Sequence, residues 1–343
     1  MSGISSVGGV GSSAVETSFI QMYREGFAQQ FQQFDSRFMQ VFDVVRQASE
    51  FDYYDRIGLA EEMEEVTTRY HDNPTSEIPH DRRRIGLRDF EQGKYMEPKD
   101  VIRLASDPRN AYIMAFKAAA NRKVDRIILD RIFDVAHTGK KGEGTVAFVG
   151  TNADKVTVGN LSKGHSRPIT TAGRYELEAG DVEGIDVNVS YDKTDTGVAK
   201  GITLDKLQAA RFTMERLESV SEDEILDCWI TSSQAEQLLN IEEIKNSDYA
   251  VRKALAEGSV TTYMNYRFRR SELLKGAGTA GDPRQCIIAK SNAVKVAVSQ
   301  NIELDIWQDT GKRKIPYIYN KLGMDAVRMW GEVTCKLNCL DTI

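Results

Sequence analysis

The chain has 343 residues, of which 41% are hydrophobic and 28% charged, with a net charge of −6; this is the balance of a soluble globular protein with material for a sizeable core. A negative balance argues against a surface built to wrap nucleic acid, which is normally basic. No apolar run approaches the ~18–20 consecutive residues that a membrane-spanning helix needs. At ~100–200 residues per domain, two packed domains with extensions are expected.

The first residues, MSGISSVGGVGSSAVE, show no positive stretch followed by an apolar run, so no secretory signal is read and folding in a cytoplasm is expected. Residues 1–13 are Gly/Ser-rich and aperiodic, the composition of a flexible segment. Residues 14–48 predict a helix. Ile20, Tyr23, Phe27, Phe31, Phe34, Phe38 and Val45 recur at steps of three, four or seven and form one apolar stripe. Such a stripe packs either on its own domain or on a neighbouring subunit.

Residues 51–98 do not read as a compact domain. Asp52, Asp55, Glu61, Glu62, Glu64 and Glu65 crowd the first part, and Arg82, Arg83, Arg84 and Arg88 the later part. Between them Asn73-Pro74 and Pro79 signal turns. The segment predicts a long excursion with two arms of opposite charge. The four arginines are candidates for contacts with carboxylates of another subunit; a solvated charged turn is the alternative.

A long helix is predicted over about 107–138, capped by Ser106 or Asp107 with Pro108 in its first turn. Ile113, Phe116, Ala120, Val124 and Ile127 share one face and form its candidate core stripe. GKKGEG at 139–144 follows it. It lacks the GxxxxGK[ST] spacing of a phosphate-binding loop and reads as a C-cap and turn.

Beyond 140 the texture changes to short strands and turns, with TVAFV and IDVNVSY in strand fashion. TLDKLQAARFTMERLES at 203–219 predicts a helix, ILDCWIT a buried strand, SSQAEQLLN a short helix, RQCIIAK a strand and SNAVKVAVS another helix. Strand and helix in series indicate a mixed α/β domain. The tail, AVRMWGEVTCKLNCL, alternates as a strand.

Four cysteines (Cys228, Cys286, Cys335, Cys339) are too sparse for a disulfide framework and read as small buried thiols, reduced as in a cytoplasm. His71, His80, His137 and His165 include no pair at helical spacing, and HExxH and GxSxG are absent. No catalytic residue, cofactor or metal is therefore expected.

The order of parts resembles the major capsid proteins of tailed bacteriophages with the Hong Kong 97-type fold. PHDRRRIGLRDFEQGKYMEPKD leading into DPRNAYIMAFKAAANRKVDRIILDRIFDVAHTGKKGEGTVAF is similar to the loop-to-spine segment of a family common in short-tailed phages. Its Arg-then-Asp pattern falls on Arg122 and Asp125. ITLDKLQAARFTMER, the segment ITSSQAEQLLN to SELL with Asn246 to Tyr249, and AVRMWGEVTCKL extend the likeness over most of the chain. Residues 150–200 carry it least, and Asn265-Tyr266 stands where relatives often have Gly-Phe.

The resemblance implies an α+β fold with an N-terminal arm (1–50), an extended loop (51–98), a peripheral domain with a long spine helix (99–200), an axial α/β domain (201–304) and a return to the peripheral domain (305–343). It implies a non-enzymatic shell subunit that assembles with itself in pentamers and hexamers around double-stranded DNA, without sequence-specific binding. The partners implied are a scaffolding protein during assembly, a portal protein at one vertex and a decoration protein, and the location is the virion. An encapsulin-type nanocompartment shell, which shares the fold, and a cytoplasmic α/β enzyme are the competing expectations.

Overall fold

The computed structural model describes residues 35–58, 80–96, 109–148, 184–191, 198–216, 219–241, 262–312 and 314–341, with isolated positions between 59 and 79. Three sheets and three helices organise these residues. The first sheet has the order β1-β12-β13-β4, from β1 (Asp43–Arg46), β12 (Val294–Asp309), β13 (Ile315–Arg328) and β4 (Asp89–Tyr95). The second, six-stranded, has the order β7-β14-β11-β8-β10-β9. Its strands are β7 (Ile185–Val187), β14 (Thr334–Cys339), β11 (Arg284–Ala289), β8 (Leu226–Ile230), β10 (Tyr266–Arg270) and β9 (Thr262–Tyr263). The third joins β2 (Phe51–Ile57), β3 (His80–Gly86), β5 (Ala136–Thr138) and β6 (Gly144–Val146).

The long helix α1 (Arg109–Ile132) lies against β12 and β13. It has 24 residues, about 36 Å at ~1.5 Å per residue. Its predicted start lies outside the described residues. Its end comes earlier than Gly139, because Ala136–Thr138 is a strand paired with Arg83 and Arg84 on one side and with β6 on the other. The buried guanidinium of Arg328 donates to the carbonyls of Ile132 (3.2 Å) and Asp134 (2.9 Å), satisfying acceptors left over at the helix end. GKKGEG is consequently the β5–β6 hairpin turn, with Thr138 opposite Gly144, and not a helix cap. Gly139 and Gly142 adopt φ of 90° and 71° there, a conformation that costs glycine least.

Helix α2 (Leu204–Arg216) covers one face of the six-stranded sheet, and α3 (Ser232–Asn240) follows β8 over the residues expected. The apolar core is continuous from α1 through the six-stranded sheet to α2. Cys228, Cys286, Cys335 and Cys339 are free thiols buried within that sheet.

Three predicted elements change character. Residues 35–42 form turns and Asp43–Arg46 a strand, so the helix over 14–48 is not formed in its last part; the preceding part lies outside the described residues. Here the backbone of Val44 and Val45 pairs in parallel with Val296 and Ala297, and tertiary pairing overrides a helical period. Of SNAVKVAVS, Ser291 to Ala293 form a turn and Val294 onward is strand, because Val294, Val296 and Val298 are β-branched and buried within the first sheet. The closing strand is two strands. β13 ends at Arg328 and β14, after the turn at Gly331, joins the six-stranded sheet beside β11.

The expected boundary between 304 and 305 thus falls inside the continuous strand β12. Residues 334–339, expected in a peripheral return, lie instead in the sheet of 226–230 and 284–289, as do residues 185–187 from the expected 99–200 unit. Periodicity marks a strand but carries nothing about the sheet it enters.

Candidate assembly surfaces

The oppositely charged arms meet as an antiparallel hairpin, with Phe51 opposite Gly86 and Ile57 opposite His80. Alternation gives it two unlike faces. The inner face seats on the body. Ile85 packs with Ala136, Ala297, Val327 and Met329, flanked by Tyr54 and Trp330. Arg56 donates to the Met329 carbonyl (2.6 Å), pairs with Asp81 (Nη2, 2.5 Å) and lies 5.2 Å from the Trp330 ring. Burial pushes the Asp81 carboxyl up, but hydrogen bonds from Thr138, the Arg82 N–H and Arg56 outweigh it and hold the group below the usual carboxylate range.

The arginine cluster divides between these faces. Arg83 points inward and is fully buried, 3.6 Å from Asp81. Arg82 and Arg84 point outward. Arg82 grips Asp55 through Nε (2.5 Å) and Nη2 (3.2 Å) and lies 5.6 Å from the Tyr53 ring. Arg84 lies 5.0 Å from the Phe51 ring. The Arg82 hydrogen bond is the main cause that lowers the Asp55 pKa. Arg88, in the connection to β4, is exposed and stands 5.5 Å from the Phe90 ring. Arg84 and Arg88 line a cleft with Arg131, His137 and Asp325, where Arg131 is held by Asp325 through bonds of 2.9 and 3.0 Å. Of the acidic run, Glu61, Glu62 and Glu64 lie outside the described residues, and Asp55 of the same hairpin supplies the carboxylate that Arg82 holds. The outward face leaves large apolar surface in solvent: Phe51 is 42%, Tyr53 40% and Ile57 60% exposed.

Of the N-terminal aromatic stripe, Phe27, Phe31 and Phe34 lie outside the described residues. Phe38 is fully buried in its own chain, stacked on Trp229 with ring centroids 5.1 Å apart, and Phe42 joins it at 5.3 Å. Asp125 of α1 fixes this segment by accepting hydrogen bonds from Ser36 Oγ (2.5 Å) and the Arg37 N–H (3.1 Å). Of the spine-helix stripe, Ala120, Val124 and Ile127 are buried, while Ile113 and Phe116, nearer the helix start, are half-buried.

A surface not singled out from the sequence is the distal half of β12–β13 with β4 beside it. Along this arm, beyond Val298, strand β12 becomes exposed at Glu303, Asp305, Ile306, Trp307 and Gln308, while Ile318, Asn320 and Leu322 of β13 stay buried. One face is covered by α1: Asn320 donates to the Phe116 carbonyl (3.3 Å), and Lys94 and Lys123 stand over Tyr112 and Phe90. The other carries Trp307, Tyr317, Tyr319 and Tyr95 in mutual contact, with neighbouring centroids 4.4–5.2 Å apart. Glu91 hydrogen-bonds Tyr319, whose phenol is pushed up to about 12. The signal was present in IELDIWQD, whose alternation puts Glu303, Asp305, Trp307 and Asp309 on one side.

Within the body, Asp227 of β8 accepts from Arg267 (2.7 Å) and Arg269 (2.6 Å) on β10. Burial raises its pKa, but the two arginines win and hold it low. Lys206 of α2 buries its ammonium against the carbonyls of Lys200, Gly201 and Asn338 at 2.8–2.9 Å, and desolvation lowers its pKa. These are joints between elements; Lys200 and Gly201 of the Lys206 joint also line a shallow cavity with Gln237, Ile241 and Leu340.

A family model described as phage capsid protein matches residues 15–172 and 184–341. No curated protein matches by sequence. Among solved structures, the chain is similar to the capsid of cyanophage P-SCSP1u, with a TM-score of 0.66 at 11% identity, over 96% of this chain and 95% of that one. It is similar to the mature capsid of bacteriophage PhiM1 with a TM-score of 0.63 at 12% identity, over 96% and 94%. The cyanophage Pam1 capsid gives 0.60 at 12% identity, over 94% and 97%. At such identities the structural likeness speaks for the fold, which is the α+β fold of these capsid subunits, Hong Kong 97-type. The family match covers nearly all of the sequence, and on that ground the chain belongs to the phage capsid protein family.

Proposed function

We propose that this chain is the major capsid subunit of a tailed phage, assembling with itself in pentamers and hexamers into a closed icosahedral shell around double-stranded DNA. The observation that carries the reading, beside the family, is the outward face of the β2–β3 hairpin. It exposes Phe51, Tyr53 and Ile57 and carries the half-buried Arg82 and Arg84 among them, a composition suited to protein contact. Arg82, Arg84 and Arg88 are the proposed intersubunit arginines, whereas burial assigns Arg83 to its own chain. Phe27, Phe31 and Phe34 remain proposed intersubunit contacts of the arm; Phe38 serves as an internal anchor.

A net charge of −6 supports a container that encloses DNA without gripping it. A scaffolding protein, a portal protein at one vertex and a decoration protein are the proposed partners, with synthesis in the host cytoplasm and residence in the virion. The role is structural and not enzymatic. The family match favours a phage shell over an encapsulin-type compartment. The test is co-expression with the scaffolding protein and negative-stain imaging. Closed shells of many copies are expected, and a protein that stays monomeric or dimeric under those conditions contradicts the reading.

A further inference from the structure

The cleft between the base of the hairpin and the body differs in chemistry from the exposed faces. It is a cavity of about 190 Å³. Its charged lining is Arg84 of β3, Arg88 of the β3–β4 connection, Arg131 of α1, His137 of β5 and Asp325 of β13. Elements distant in sequence thus bring three guanidiniums and an imidazole to one place with one carboxylate. That carboxylate is already engaged: Asp325 is 3% exposed, and its two oxygens accept from Nε and Nη2 of Arg131 at 2.9 and 3.0 Å. Among the described residues, no carboxylate pairs with Arg84 or Arg88. The cleft therefore carries positive charge that its own walls leave unmatched.

Packing, and not charge, places these two arginines. Arg84 lies 5.0 Å from the Phe51 ring and Arg88 5.5 Å from the Phe90 ring. Stacking uses the face of a guanidinium and leaves its in-plane N–H groups to other acceptors. Arg84 gives one of them to the Lys141 carbonyl in a long bond of 3.4 Å. Gly142, at φ 71°, makes room for the Arg84 chain, since a Cβ there would stand 2.6 Å from Arg84 Cδ. In the β3–β5 ladder Arg84 is directly opposite His137, so their side chains share a face. Even a neutral imidazole has one N–H to donate.

We infer that this cleft is a binding site for a small oxyanion of the phosphate class, inorganic phosphate or pyrophosphate, held by Arg84 and Arg88 with Arg131 and His137 as supporting donors. A guanidinium meets two oxygens of a phosphate with two parallel N–H bonds. A charge seated in a cleft is screened by salt less than one on an open face. The cavity has room for an anion of a few heavy atoms and not for a duplex. Bound there, the anion joins the hairpin, through Arg84, to the end of the long helix, through Arg131. Within the cleft itself the only ion pair is that of Arg131 with Asp325, which leaves the hairpin out. The site belongs to the folded subunit and goes beyond the shell reading, since it stands whether or not copies assemble. Where another copy brings a carboxylate to Arg84 or Arg88, it and the anion compete for the same N–H groups.

The test is isothermal titration calorimetry of the full-length free subunit near neutral pH, with inorganic phosphate and with pyrophosphate, at an ionic strength held constant by chloride. Saturable binding of at least one of the two is expected. Arg84→Gln and Arg88→Gln are each expected to weaken it about tenfold or more, the loss of a charge-assisted hydrogen bond. Arg82→Gln, whose side chain pairs with Asp55 outside the cleft, is expected to leave binding unchanged. Circular dichroism verifies the fold of each variant; Arg88 is exposed, so its variant decides if Arg84→Gln does not fold. No saturable heat with either anion, or unchanged binding in a folded Arg84→Gln or Arg88→Gln, overturns the inference. A short DNA duplex is the third titrant. Duplex binding that both variants lose, with no binding of either small anion, also overturns it, because the arginines would then serve a nucleic-acid backbone. A second readout is amide exchange with and without the anion that binds. Slower exchange across residues 82–88 and 135–138, with none across 226–230, is expected, and no slowing at the cleft overturns the site.

Discussion

Strand β12 passes through two environments. From Val294 to Val298 it lies in the core beside β1 and β13, while from Glu303 to Gln308 most of its residues face solvent. The same contrast separates the six-stranded sheet from the β2–β3 hairpin. In the sheet, Trp229, Tyr266, Cys286 and Leu337 are fully buried, and the charged groups are matched by hydrogen bonds inside the chain. On the hairpin and the arm, aromatic residues sit in solvent with charges of one prevailing sign around them. A region stabilised by its own packing has no use for exposed Phe51, Ile57 and Trp307. The difference teaches that stability is concentrated in the body, and that the projecting strands hold the exposed apolar surface on which the proposed contact with another copy rests.

The comparison breaks most sharply at Trp229. Trp229→Ala removes the ring on which Phe38 and Phe42 stack and is expected to destabilise the free subunit by ~3–5 kcal/mol in chemical denaturation. Trp307→Ala on the arm, which loses contacts with Tyr317 and Tyr319 at a largely exposed site, is expected to cost only ~1–2 kcal/mol in the same denaturation curve while lowering the yield of shells. Equal effects on subunit stability would erase the distinction between the regions.

Phe38→Ala is expected to cost ~3–5 kcal/mol as a fully buried truncation, and Phe116→Ala, from a half-buried site, about half of that. This pair sharpens the comparison along the helix. A cost at Phe116 equal to that at Phe38 would place the start of α1 deeper in the body than its burial indicates.

Acid offers a milder probe. Asp227 has its pKa lowered in the folded chain by Arg267 and Arg269, so its contribution is full above the unfolded carboxylate value of ~3.9 and fades as pH falls through the folded one. Asp227→Asn is expected to destabilise by ~1–3 kcal/mol near neutrality, with the gap from the wild type closing as pH drops below ~4. A gap that stays constant down to pH ~2 would mean that the ionised carboxylate is not what holds β8 to β10.

The smallest effect on the free subunit belongs to Arg82→Glu with Arg84→Glu. Both side chains lie on the outward face, and the thermal transition of the free subunit is expected to stay in place while shell formation falls.

How much of this was legible in the residues follows from what periodicity encodes. The span of α3, the core of α2 and the strands at Leu226–Ile230 and Arg284–Ala289 show in local pattern, because each buries a face set by its own spacing. The long helix shows in its middle, but its end is fixed by Arg328, almost two hundred residues away, and by strand pairing of Ala136–Thr138. Val294–Val298 reads equally as helix or strand until its partners β1 and β13 are known. Sheet membership is hidden for the same reason, since strands distant in sequence share a sheet. Within the arginine cluster, proximity suggested one role, yet alternation along β3 sends Arg83 inward and Arg82 and Arg84 outward. The arm face lay unread because its alternation was visible but its exposure was not.

The division between a self-sufficient body and copy-directed projections is tested most directly by amide hydrogen exchange on free subunits and on assembled shells. Protection is expected to rise on assembly across residues 51–57, 80–95 and 303–321 and to stay unchanged across 226–230 and 284–289. Equal protection of the projecting strands in both states would contradict the account.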